Sequence, residues 1–213
     1  GVEWIGEIPR EWGVKPLKYK CNYNVDSLGN DTEPDYELDY IEISDVNSDG
    51  EILNKTHMSF KDAPSRCRRI LKKNDVFIST VRTYLKSIGF VGNEVDNLIC
   101  STGYCVVSPT EGIIPKLLFY IMRSNWFISK VVSSSEGVSY PSIQSTKLVD
   151  IKILVLPLPE QQQIVTHLDK ETQKIDTLIE KENKRIELLK EYRQSLISEV
   201  VTGKIDVRDE VLQ

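Results

Sequence analysis

Histidine, methionine and clustered cysteine are what this chain has least of. Its 213 residues hold two histidines (His57 and His167), two methionines and four cysteines (Cys21, Cys67, Cys100 and Cys105). The cysteines lie far apart with no CxxC pair, and too few imidazoles are present to complete a zinc site. Reduced thiols in a cytoplasmic protein are therefore expected. No glycine-rich phosphate loop, GxSxG elbow or HExxH occurs, and neither histidine has an evident catalytic partner, so neither enzyme chemistry nor a cofactor is expected. No apolar run nears the roughly 20 residues that span a bilayer, and no signal-peptide pattern opens the chain, which excludes a membrane role at this level. Opening on Gly1 in place of Met fits a processed chain or a fragment.

Charge of one sign is missing locally rather than overall. The net charge is -5, which taken alone argues against nucleic acid. From Asp26 to Glu51, however, every charged residue is acidic, and from Lys61 to Lys73 the cations Lys61, Arg66, Arg68, Arg69, Lys72 and Lys73 face Asp62 alone. Screening acts over about 8 Å at physiological salt, so a partner feels a local cluster before it feels the total. The acidic run offers carboxylates for a metal-dependent nuclease. Its Asp45–Glu51 segment resembles a calcium loop superficially, but the Glu needed at the twelfth position is absent, so a plain Asn47–Gly50 turn is expected.

Proline at positions 9 and 16 breaks any helix at the start, so residues 1–20 read as an extended arm pinned by Trp4 and Trp12. Core packing and base stacking are both open to these rings. Tyr40–Ile43, Asp75–Val81, Ser87–Val91 and Thr102–Ser108 have the β-branched and aromatic content of strands. A helix is expected from Pro115 to about Val132, with proline at its first position, and a last strand from Leu148 to Leu156. Strands that do not alternate with helices give an α+β fold with a compact, partly barrel-like sheet.

After Pro157-Leu158-Pro159 the sequence is free of proline, and a single helix is expected from Glu160 to Val201, about 63 Å long. Ile175, Ile179, Glu182, Ile186, Leu189, Arg193, Leu196 and Val200 fall at alternating spacings of four and three, the repeat of a coiled-coil seam. Leu178, Leu188, Tyr192 and Ile197 widen it. A rod cannot bury its own seam, and each exposed Leu or Ile forgoes about 1.5–3 kcal/mol, so a partner helix is expected. Glu182 and Arg193 either pair across that interface or extend to water. His167 reads as an exposed helix residue. Thr202-Gly203 should end the helix. Two domains follow, 1–158 and 159–213.

Several segments together resemble the specificity subunit of type I restriction–modification systems. They are the arm Gly1–Pro9, Lys73–Ser79, Gly137–Ile143, the junction Leu156–Gln162 and the tail Val201–Arg208. Members usually carry two target-recognition domains, each followed by a long helix; this chain has one of each and looks like a half subunit. The resemblance implies a domain that reads one half of a split site in double-stranded DNA. It also implies a helix that spaces two such domains, antiparallel, and docks methyltransferase subunits. An antiparallel homodimer of this chain would reproduce that arrangement, with methylation and ATP-driven cleavage left to the methyltransferase and restriction/translocase subunits.

For DNA contact, the run Lys61, Arg66, Arg68, Arg69, Lys72, Lys73 offers phosphate ligands, or is simply a solvated face; six contacts would give a salt slope of about -5. Two loops combine short polar side chains with arginine or tyrosine, as base-edge reading requires. One holds Thr80, Arg82, Thr83, Tyr84 and Lys86; the other, starting at Ser133, holds Ser139, Tyr140, Ser142 and Gln144. Three functions stand: a non-catalytic DNA-specificity module, which explains domain, rod and missing catalysis together; a coiled-coil scaffold that binds protein; and a metal-dependent nuclease.

Overall fold

A computed structural model of the chain describes residues 6–208. Trp4, expected as an anchor of the arm, lies outside them. The remainder of the arm packs as a strand: β1 (Gly13–Pro16) runs antiparallel to β10 (Lys152–Val155), and Leu17 just beyond it is fully buried.

Two four-stranded sheets and this ribbon replace the single partly closed sheet expected, within the α+β class. The first sheet is ordered β2 (Cys21–Tyr23), β9 (Tyr104–Pro109), β6 (Val76–Ser79), β7 (Ile88–Phe90), all antiparallel. The second is ordered β4 (Thr56–Ser59), β3 (Glu37–Ile41), β8 (Leu98–Ser101), β5 (Cys67–Ile70), with β3 and β8 parallel. Strand alternation builds the layers. Val76, Ile78, Cys105 and Val107 share a core with Leu118, Phe119, Met122 and Phe127 of two helices. Phe77, Tyr104 and Val106, one residue out of step, meet Ile41, Leu98 and Cys100 of the other sheet. The Phe77 and Tyr104 rings meet edge to face, with centroids 5.1 Å apart. Gly89 lies opposite Phe77 in the ladder, and a Cβ there would come within 2.2 Å of the ring, so only glycine lets the ring lie across the pair.

The helix expected from Pro115 to about Val132 is two, α1 (Pro115–Arg123) and α2 (Asn125–Ser133). Ser124 between them is extended; its hydroxyl accepts the Phe127 amide at 3.2 Å and donates to the Ile121 carbonyl at 2.7 Å. A serine so placed starts a new helix as its N-cap. The apolar period continues through the break, which is why the pattern does not reveal it. The strand expected from Leu148 to Leu156 likewise opens as a short helix, α3 (Ser145–Val149), and only β10 pairs. Leu148 and Val149 are buried either way. The Asn47–Gly50 turn is present: the Asn47 side chain accepts the Asp49 and Glu51 amides, both at 2.9 Å.

The last helix, α4 (Leu158–Val201), begins two residues before Glu160. The chain divides within it into two compact units, Gly1–Val165 and Thr166–Gln213. In the first unit the start of α4 is tied down by Gln161, which is 1% exposed. Its Oε1 accepts the Ile114 amide at 2.8 Å, and its Nε2 donates to the carbonyls of Gly112 and Leu156 at 3.0 and 2.7 Å. Beside it the Trp12 indole donates to Glu160 at 2.7 Å, and Leu117, Leu156 and Val165 close a small core. In the second unit Ile175, Ile179, Ile186 and Leu189 are about half exposed, and Glu182 pairs along its own helix with Arg185. Gly203 follows α4 with φ +75°, its amide donating to the Val200 carbonyl. Among the described residues no helix is long and apolar enough to cross a membrane.

Replacing Gln161 with Ala would orphan three backbone groups, one buried and two part-buried, the buried one alone costing about 1–3 kcal/mol. Urea unfolding should therefore show a loss of about 2–4 kcal/mol, whereas Ser124→Ala, which removes one cap, should cost about 1 kcal/mol. Comparable losses would mean that Gln161 is not the stronger tie.

Candidate nucleic-acid interface

The basic run folds against the acidic one. Lys61 pairs with Asp35, Lys72 with Asp26 and Lys73 with Glu94, each at 2.8 Å, and Arg66 with Glu42 at 2.6 Å. The Glu42 carboxylate, helped by the Tyr40 hydroxyl, raises the pKa of Arg66 above its ordinary value. Arg68 lies 4.8 Å over the Phe60 ring and donates to the Gly29 and Ser65 carbonyls. Arg69 is half-buried on β5, just past a bulge; its Nη1 reaches the Asn24 carbonyl at 3.5 Å, and its Nε is buried with no partner. Four of these six residues are thus compensated by carboxylates, and Arg68 and Arg69 are held by carbonyls instead.

The same pairing spends the carboxylates on which a nuclease would depend. Asp39 accepts from His57 at 2.9 Å, a bond that holds the imidazole pKa above its ordinary value, and Asp45 accepts the Glu42 amide at 2.8 Å. Among the described residues no three His, Cys, Asp or Glu side chains are placed to hold a metal ion. All four cysteines are buried and unpaired. Burial pushes the Cys21 thiol up to about 12 and those of Cys67 and Cys105 up to about 11, so none offers a thiolate at neutral pH.

The two polar loops, distant in sequence, meet. Val81 bridges Ser142, the Arg82 amide donates to the Pro141 carbonyl at 2.8 Å, and the Ile143 amide to the Thr80 carbonyl at 2.9 Å. Thr83 and Ser135 share a hydroxyl bond of 2.9 Å, and the Thr80 hydroxyl donates to the Gly103 carbonyl at 2.8 Å. The Thr83 hydroxyl is therefore used to join the loops, and that of Thr80 to tie its loop to the β8–β9 turn. Arg82, Tyr84, Lys86, Ser139, Tyr140, Ser142 and Gln144 stay exposed. Arg82 and Lys86 flank a tight turn, and both are left-handed, with φ of 51° and 57°.

Between these loops and the β8–β9 turn lies an open cleft of about 380 Å³, lined by Glu42, Arg66, Arg82, Thr102 and Tyr140 among others. The Arg82 guanidinium sits 4.7 Å from the centre of the Tyr140 ring. Among the described residues no carboxylate lies within ion-pair distance of it. Thr102, Gly103 and Glu42 escaped the reading of the sequence. The strand expected from Thr102 begins at Tyr104, and Thr102-Gly103 form the turn before it; nothing local ties that turn to loops twenty and forty residues away.

Residues 9–188 match the family described as the type I restriction modification DNA specificity domain. The chain belongs to that family. The type I restriction enzyme HindI specificity subunit of Haemophilus influenzae is 30% identical over 132 residues, 56% of this chain and 28% of that one. The crystal structure of the HsdS subunit from Thermoanaerobacter tengcongensis superposes with a TM-score of 0.74 at 24% identity, covering 98% of this chain and 53% of that chain. A chain from work on complex assembly and conformational transition of the type I R-M system gives a TM-score of 0.76 at 25% identity, with coverages of 97% and 52%. This specificity-domain chain thus spans about half the length of those two structures and under a third of the HindI subunit. The α+β fold, two sheets followed by a long helix, is that of the HsdS structure.

Arg68 and Arg69 are neighbours in sequence but not in environment. Arg69→Glu puts a carboxylate where a half-buried guanidinium packs and should lower unfolding stability by about 1–3 kcal/mol. Arg68→Glu, whose lost hydrogen bonds are solvent-exposed, should cost under about 1 kcal/mol. Thermal unfolding of both variants measures the contrast; equal melting temperatures would show that the buried Nε environment is not restrictive.

Proposed function

We propose that this chain is a non-catalytic specificity module that reads one half of a bipartite site in double-stranded DNA. Residues 1–158 do the reading, and 159–213 space two modules and dock the methyltransferase and restriction/translocase subunits, which carry the chemistry, in the cytoplasm. The observation that carries this reading is the convergence of the loops at Thr80–Ser87 and Ser133–Gln144 on one open cleft. There arginine, tyrosine and short polar side chains face solvent, while Lys61, Arg66, Lys72 and Lys73 of the basic run are each paired with a carboxylate. Membership of the specificity-domain family supports it.

The seam of α4 supports an antiparallel homodimer. Its eight positions are symmetric about a point between Glu187 and Leu188. Two antiparallel copies in that register set Ile175 beside Val200, Ile179 beside Leu196, Ile186 beside Leu189 and Glu182 beside Arg193 of the second copy. Every apolar residue then meets an apolar one, and the two polar positions meet as opposite charges. Two-fold symmetry predicts inverted-repeat half-sites.

In cells expressing the chain with the methyltransferase subunit and no other specificity subunit, DNA should acquire methylation at a palindromic, interrupted motif. An asymmetric motif would refute the symmetric pair, and no new methylation despite a confirmed complex would refute the half-subunit reading. A truncation after Val165 keeps the ties made by Gln161 and should be monomeric in sedimentation. A dimeric truncation would remove the seam as the interface.

A further inference from the structure

The cleft contains two arginines, and their environments differ. Arg66 is held by Glu42 at 2.6 Å and by the Tyr40 hydroxyl at 3.3 Å. Glu42 is fixed in turn by the adjoining turn, its side chain accepting the Asp45 amide while the Asp45 side chain accepts the Glu42 amide. Freeing Arg66 for a ligand means breaking a linked set of bonds. Arg82 has no such tie. It is exposed, no carboxylate among the described residues pairs with it, and its guanidinium contact is the face of Tyr140 at 4.7 Å.

That contact has a chemical consequence. Contact with the face of an aromatic ring attracts the guanidinium without offering its N–H groups a carboxylate or carbonyl, so the donors stay available to a ligand. Two parallel donors at one edge of a plane match the O6 and N7 acceptors of guanine in the major groove. Rigidity comes from the backbone. Arg82 has φ 51° and ψ 50°, unusual for a residue with a Cβ. It is kept there by the hydrogen bond that its amide donates to the Pro141 carbonyl, by the Val81–Ser142 bridge and by the Thr83–Ser135 hydroxyl pair. A side chain meant only to neutralise phosphate needs none of this, since a mobile lysine serves as well.

We infer that Arg82, held by Tyr140, is a specificity-determining side chain of this domain and reads a guanine through its major-groove edge. The inference rests on the half-site reading proposed above. Arg66 stays paired with Glu42 and acts as the wall of the cleft, and Tyr140 is a positioning residue for Arg82.

Selection from randomised duplexes by the full chain in complex with the methyltransferase subunit tests this, with Arg82→Lys, Arg82→Ala, Tyr140→Phe and Tyr140→Ala compared to the unchanged protein. In the lysine and alanine variants at Arg82, preference for guanine should fall about tenfold or more at one base pair per half-site. The other positions and the salt slope should stay as they were. Tyr140→Phe, which keeps the ring face, should retain the preference, and Tyr140→Ala should weaken it at the same base pair. Arg82→Lys keeps the charge and the stem, so it reports even where the alanine variant folds poorly. If Arg82→Ala instead weakens all sequences equally and reduces the salt slope by about 0.9, Arg82 is a phosphate ligand and the inference fails while the half-site reading stands. If the unchanged complex selects no motif, the half-site reading fails and the inference falls with it.

Discussion

Gln161 is the residue on which the architecture of the globular unit turns. A primary amide is the one side chain that accepts on one atom and donates twice on its neighbour. Here it accepts from Ile114 at the head of α1 and donates to Gly112 before that helix and to Leu156 at the end of β10. Glutamate would offer no donor, and leucine would take away a partner from three backbone groups, one of them buried. Through this one side chain the entry to α1, the last strand and the first turn of α4 are fixed together. The indole of Trp12 on Glu160 adds the amino-terminal ribbon to the same junction. The first turns of α4 consequently belong to the globular unit, and the compact unit ends at Val165, inside the helix.

Charge pairing is the second organising constraint, and it works by cancellation. The acidic and basic runs form partners on adjacent strands and turns, so that Asp26, Asp35 and Glu42 meet Lys72, Lys61 and Arg66. Exposed pairs of this kind contribute little to stability. Their effect is on what a polyanion encounters: the basic run no longer presents a naked positive face. The cleft between the loops does keep an arginine without a carboxylate. A chain with net charge -5 can in this way direct a charged partner to one place.

How much of this was legible depended on how local the cause was. Strand β6 falls inside the stretch Asp75–Val81 expected as a strand, because its β-branched and aromatic residues alternate between two apolar cores and are buried; the observed strand is shorter, Val76–Ser79. Strand β5 was missed because it runs through the basic segment, where a bulge between Cys67 and Arg69 disturbs the alternation. The break at Ser124 was missed because apolar spacing continues across it, and only the hydroxyl's choice of the Phe127 amide marks the new helix. The two cleft loops were each visible as polar stretches with arginine or tyrosine. Their meeting was not, because it rests on pairing between Val81 and Ser142, sixty-one residues apart.

The sequence by itself determined the α+β class, the family, and the long helix with its symmetric seam. Each depends on short-range spacing, and a helix closes its hydrogen bonds within four residues. The tertiary structure alone decided which charges cancel and which arginine of the cleft is left without a carboxylate. Those outcomes depend on contacts between segments far apart in the chain, and the energy of an ion pair or a ring stack is set by distances of a few ångströms that no spacing along the sequence encodes.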